Sequence, residues 1–218
     1  MRAWLAALLL ALGAPAWAAP FAVRLGAERV ALDTPPGFAD TLDLASPRLQ
    51  ELAEALTSAS NRILLFALTD ADLRRFTLGD TPELIRYLLV ATPRAMERDR
   101  VNPEQFRAFV GESVRGLGNP AQPQAIRKFL DAQPAGRASL LWELRRTPQA
   151  VSVMQGTRLL AKPDAPPQYL LSTTTLLLVR SRALSVSAFA GYYDEADADW
   201  LRTTTLRWVD DLQRLNSR

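Results

Sequence analysis

Y-L-L-S-T-T-T-L-L-L-V-R-S-R-A-L-S-V-S-A-F, Tyr169 to Phe189, is the stretch on which the fold turns. It could be a membrane segment, a hydroxyl-rich active site or the middle of a sheet. Each apolar limb is too short for the ~20 residues of a helical membrane span, and the capped amphipathic helices around it argue against an outer-membrane barrel. Ser172, Thr173, Thr174 and Thr175 would need a base to act as nucleophiles, whereas threonine in a strand needs no such explanation. Leu176 to Val179 is apolar on both faces, and Leu184, Val186, Ala188 and Ala190 alternate with Ser185, Ser187 and Phe189. The stretch therefore reads as a central hairpin covered by helices on both sides, joined at Ser181-Arg182 without the Asn-Gly signature of tight turns.

Working outward, Ala196 to Leu215 is an amphipathic helix whose inner face carries Leu201, Thr205, Trp208, Leu212 and Leu215. Upstream, Gln149 to Leu160 reads as strand and Lys162 to Pro167 as a rigid loop, while Leu140 to Arg146 leans to helix. Asn102, Pro103 and Gln105 spell a capping box with proline at the first helical position, and Phe106, Phe109, Val110, Val114 and Leu117 supply that helix's stripe. A shorter helix runs from Pro123 to Asp131. Ile63–Leu68 and Arg86–Thr92 are strands apolar on both faces, separated by a charged connection that closes at Gly79-Asp80. Ser46 and Pro47 start a helix with a stripe at Leu49, Leu52, Ala53 and Leu56. Phe21 to Leu32 is strand, with a tight turn at Gly26. The repeated threonine runs at Leu171–Val179 and Leu201–Val209 sit in a strand and a helix, so they are not an internal repeat. The fold class is α+β: an α/β/α sandwich with a mainly antiparallel sheet of five to seven strands, helices on both faces and a long C-terminal helix.

Residues 1–18 carry a basic Arg2, an apolar Trp4–Leu12 run and Ala16-Trp17-Ala18. That is the pattern of a cleaved signal peptide, implying a periplasmic or secreted protein with no stable membrane insertion after cleavage and one domain over residues 20–218. Of the 26 basic residues, removing Arg2 leaves 25 against 23 acidic ones, a balance that argues against a nucleic-acid partner. With no cysteine and no histidine in the chain, thiol chemistry, the Ser-His-Asp triad and imidazole metal sites are closed. No residue pattern specifies an oligomeric state.

Candidate interaction residues lie in two groups. Asp70, Asp72, Arg74, Arg75 and Asp80 form a charged cluster between two strands, suited to recognition in a cleft or to solvated ion pairs. Tyr192 and Tyr193, followed by Asp194, precede the last helix as either an exposed contact pair or a buried strand end. Asp194, Glu195, Asp197 and Asp199 resemble a calcium loop in composition, but lack its glycine and terminal glutamate and fit better as acids at a helix start. Glu143, among apolar neighbours, would be a possible acid if buried, but fits better facing water while Trp142 packs. No catalytic, metal or cofactor residue is assigned; the lysines, Lys128 and Lys162, have no marked hydroxyl partner.

Pro35-Pro36-Gly37-Phe38 resembles the P-x-G-aromatic turn of the PsbP-like superfamily. The Thr173–Phe189 hairpin followed by D-A-D-W-L-R-T-T-T-L-R-W-V resembles that superfamily's closing hairpin and terminal helix. N-R-I-L-L-F-A-L-T-D-A-D-L-R-R-F and R-Y-L-L-V-A-T-P-R are similar to exported proteobacterial proteins of the same fold. The resemblance implies a sandwich and a non-enzymatic accessory or binding role, without a catalytic set. Three functions follow as expectations: a non-catalytic periplasmic protein that binds an envelope protein or complex; a carrier or sensor of a small apolar or metal ligand; and a hydrolase using carboxylates, with Asp70, Asp72 or Glu143, or a Ser-Lys pair.

Overall fold

In the computed structural model the central hairpin is β8 (Tyr169–Val179) paired in register with β9 (Arg182–Gly191). Arg180 and Ser181 form its turn with φ of 47° and 59°. Both lie in the left-handed region, the geometry of a two-residue hairpin turn, reached here without Asn-Gly. The structure describes residues 20–160 and 165–217, so the expected signal peptide and Lys162 lie outside the described residues.

The sheet grows on both sides of this hairpin. β9 pairs with β5 (Arg86–Pro93), then come β4 (Asn61–Thr69) and β3 (Phe38–Asp40); β8 pairs with β7 (Ala150–Arg158), then β6 (Ala138–Arg146). All seven strands run antiparallel in the order β3-β4-β5-β9-β8-β7-β6. The expected N-terminal strand is a separate two-stranded sheet, β1 (Phe21–Leu25) and β2 (Glu28–Leu32), turning at Gly26.

One face packs against α5 (Glu195–Leu215), α4 (Ile126–Asp131) and the β1–β2 hairpin. There Leu171, Leu177, Val186 and Ala188 meet Leu201, Trp208, Leu212, Leu130, Val30 and Leu32 in one buried cluster. Leu215, expected inside, stays half-buried. Asn216, just past α5, clips β2 in place: its amide accepts from Ala31 N–H and donates to Ala31 C=O, both at 2.8 Å. The opposite face carries α1 (Pro47–Ala55) on Phe66, Leu68, Tyr87 and Leu89, and α3 (Pro103–Arg115) on Val151, Leu176 and Ala183. Asn102 and Gln105 close the capping box at α3 as the sequence predicts, and Phe106 and Val110 are its buried residues.

Three expectations are corrected. The charged connection is a helix, α2 (Asp70–Thr77), begun by Thr69, whose hydroxyl accepts from Asp72 N–H at 3.1 Å. Asp70 and Asp72 in its first turn and Arg74 and Arg75 in its last complement the helix dipole; at eight residues, four of them charged, it is shorter than the window over which a hydrophobic period is read. Leu140–Arg146 belongs to a strand, not a helix. Register shifts between Leu140 and Trp142 and between Glu143 and Arg145 break its two-residue alternation and hide it from pattern reading. The short helix also starts at Ile126 rather than Pro123.

Candidate functional site

β4 ends, β5 begins, β9 ends and β8 begins at the same end of the sheet. Antiparallel order therefore carries the two candidate groups, far apart in sequence, to a common end of the sheet. Thr69 opens α2 there, Arg86 opens β5, and Gly191 leads through Tyr192 and Tyr193 into α5.

Asp197 ties the Tyr192–Asp194 group to the start of β5. Its carboxylate accepts from Arg86 Nη2 at 2.9 Å and from the N–H groups of Tyr193 at 3.0 Å and Asp194 at 3.4 Å. Burial alone would raise this carboxyl, but the Tyr193 N–H, the Arg86 guanidinium and the Asp194 N–H outweigh it and hold it below the usual aspartate range. Asp194 caps the helix by accepting from Ala196 N–H at 2.8 Å. The acidic cluster thus spends Asp194 and Asp197 on helix capping. Arg86 also lies 4.2 Å from the centre of the Trp200 ring, which stacks on Phe38.

The neighbouring tyrosines divide the two roles left open by the sequence. Tyr192 is 6% exposed, and its hydroxyl donates to Glu195 at 2.8 Å. Burial and that hydrogen bond push it up to about 12. Tyr193 is 65% exposed. Its backbone is nevertheless held on both sides, because its carbonyl accepts from Arg127 Nη2 at 2.6 Å while its N–H is bound by Asp197. The Arg127 guanidinium also lies over the Tyr169 and Tyr192 rings. Tyr193 and Ile85 converge over Gly191, where an added Cβ would meet Tyr193 Cε2 at 3.5 Å and Ile85 Cγ2 at 3.7 Å.

Asp72 is buried and accepts from Glu83 N–H at 2.7 Å, and Arg75 pairs with Glu83 at 2.9 Å. These bonds tie the connection before β5 onto α2. A pocket of ≈ 300 Å³ opens beside it, lined by Ala71, Asp72, Arg75, Glu83, Ile85 and Arg86. Asp70, Arg74 and Asp80 are exposed, and among the described residues their side chains make no hydrogen bond or ion pair with this cluster. Arg86, Glu83, Ile85 and Arg127 are the members that sequence reasoning missed; only Arg86, a lone charge opening an apolar strand, carried a local signal. A more polar cavity of ≈ 510 Å³, lined by Thr41, Gln50, Glu54 and Asn61, lies apart at the opposite end of β4.

Two of the strand threonines and Glu143 have partners within the fold. Thr173 and Thr205 share a buried hydroxyl contact of 2.6 Å, and Ser152 and Thr175 another of 2.8 Å. Glu143 is held below the usual glutamate range by its hydrogen bonds to Arg146, the reverse of the shift a buried acid would show. Among the described residues no helix is long and apolar enough to cross a membrane.

No family model matches the chain, and no curated protein matches it. Among solved structures it is similar to the Saccharomyces cerevisiae Ran-binding protein Mog1p, at 12% identity over 92% of this chain and 94% of that one, with a TM-score of 0.38. A Mog1 point mutant matches at 13% identity with the same coverages and TM-score. The PsbP-like resemblance expected from the sequence is corrected: no family model supports it, and the two solved structures named above are Mog1. Its turn motif has a local cause: Gly37, at φ 85°, makes the turn into β3 that the P-P-G-F run encodes.

Proposed function

We propose that the chain is an exported, non-catalytic binding protein that docks a protein of the cell envelope through the Tyr193 end of its sheet. The observation that carries the reading is Tyr193: an exposed aromatic ring on a backbone pinned by Asp197 and Arg127. A rigid tyrosine loses little entropy on binding, and such side chains dominate interface energies. Ile85, 39% exposed, extends the apolar contact beside it, and the neighbouring pocket can receive one side chain of the partner. Export rests on the signal pattern of residues 1–18. The non-catalytic reading rests on the missing histidine and cysteine, and on hydroxyls and carboxylates already engaged with each other or with arginine.

A photo-crosslinking residue at position 193 of the full chain, expressed in its native host, tests this. A discrete adduct in the envelope fraction is expected, lost with Ile85→Glu and missing from a probe at exposed Glu51 on α1. Diffuse adducts shared with the Glu51 probe, or a chain retained in the cytosol, would overturn the proposal.

A further inference from the structure

At the opposite end of the sheet, beside the β6–β7 turn, a groove of ≈ 830 Å³ runs between α3 and that turn. Its floor is Phe106, Val110, Val114 and Val151. Its charged lining residues are Arg107, Arg115 and Arg146, and it has no carboxylate in its lining. Arg115 pairs with Glu112 and Arg146 with Glu143 on the outer surface, while Arg107 makes no hydrogen bond or ion pair among the described residues. The volume falls within the ~300–1,000 Å³ of small-molecule sites. Gly111, in the third turn of α3, also lines it. Glycine is among the poorest residues for a helix interior, and no close packing calls for it, because a Cβ added there meets nothing within 4 Å. What glycine does at this position is leave the groove open.

We propose that this groove binds a single-chain amphipathic anion, a fatty-acid-like molecule whose apolar chain lies along Val114 and Pro148, above the buried Phe106, Val110 and Val151, and whose anionic head meets Arg107. Charge decides the class. A neutral hydrophobe leaves the Arg107 guanidinium unused, and a cation is repelled by it, since no carboxylate offsets its charge. The site is independent of the Tyr193 face and does not rest on the partner reading.

Calorimetric titration of the purified chain with monomeric dodecanoate, below its micelle concentration, tests the proposal. One molecule per chain is expected, with dodecanol binding at least about tenfold more weakly and Arg107→Gln weakening dodecanoate by about tenfold, the value of one charged contact. Gly111→Leu should abolish binding while the unfolding midpoint stays level or rises, since leucine is the better helix former. No binding of dodecanoate, equal binding of dodecanol, or unchanged binding by a folded Gly111→Leu chain would overturn the proposal. So would binding to phosphatidylglycerol vesicles alone, which would mark the groove as a membrane contact instead.

Discussion

The Asp197 carboxylate and the Arg86 guanidinium meet at 2.9 Å, joining the first turn of α5 to the first residue of β5 across 111 positions of sequence. Because the same carboxylate holds the N–H of Tyr193, this contact fixes the backbone beneath the exposed ring. Asp197→Ala should cost about 2 kcal/mol at neutral pH, leaving two N–H groups and a half-buried guanidinium without their acceptor. The folded-state pKa lies below the unfolded value near ~3.9, so this stabilisation is complete above it and is lost as pH falls through the folded value. Urea unfolding of both proteins should therefore show a gap at pH 7 that closes in strong acid. A gap that persists there would contradict this account.

Alkali acts through different groups. Tyr87 and Tyr192 are both pushed up to about 12, Tyr87 by burial and Tyr192 by burial and the Glu195 hydrogen bond. A tyrosine whose folded pKa is raised stabilises fully below its unfolded value of ~10 and loses that contribution as pH rises through the folded one. Stability should fall from about pH 10 upward, and the fall should shrink in Tyr87→Phe. Absorbance titration of tyrosinate, following the step near 12 in each protein, checks the assignment.

Adjacent tyrosines should behave oppositely under truncation. Tyr192→Ala empties part of the main core and should cost about 3 kcal/mol or more, whereas Tyr193→Ala should stay within about 0.5 kcal/mol. Thermal unfolding of the two variants is sufficient, and equal losses would refute the division between structural and contact roles.

The buried Thr173–Thr205 pair predicts non-additivity. Thr205→Ala leaves the Thr173 hydroxyl buried alone and should cost about 1–3 kcal/mol. Changing both to valine removes both polar groups and should come within about 1 kcal/mol of the parent. A double-mutant cycle showing simple additivity would mean that the 2.6 Å contact contributes nothing.

Gly26 and Gly37 both have positive φ, 56° and 85°, but only Gly26 is crowded. A Cβ there would stand 2.9 Å from the Arg98 carbonyl oxygen and 3.1 Å from Nη2 of the buried Arg182, whereas at Gly37 it would meet nothing within 4 Å. Gly37→Ala should therefore cost only the backbone strain, about 1–2 kcal/mol, and Gly26→Ala about 3 kcal/mol once the clash is added. Chemical denaturation of the two variants ranks them directly.

Much of this architecture was legible locally. The capping box at Asn102 and Gln105, the stripe of α5 and the doubly apolar hairpin depend on residues within a turn or two of each other, so their spacing specifies them without knowledge of the rest of the chain. α2 and β6 escaped for reasons equally physical: the helix is shorter than the window a hydrophobic period needs, and the bulges in the strand erase its alternation. The candidate residues were picked by type, but not as one site. Asp72 reads as one member of a charged connection, Asp194 as one of several acids at a helix start, and Tyr192 and Tyr193 as an undivided pair, because burial depends on what the sheet order brings opposite them. The sandwich, the central hairpin and the lack of histidine and cysteine are readable along the chain alone. That Arg86 meets Asp197, that Tyr193 stands out while Tyr192 is buried, and that Gly111 faces an open groove all arise only once the sheet is assembled. Contacts between distant strands and helices follow from the order of strands in the sheet, and no local pattern encodes that order.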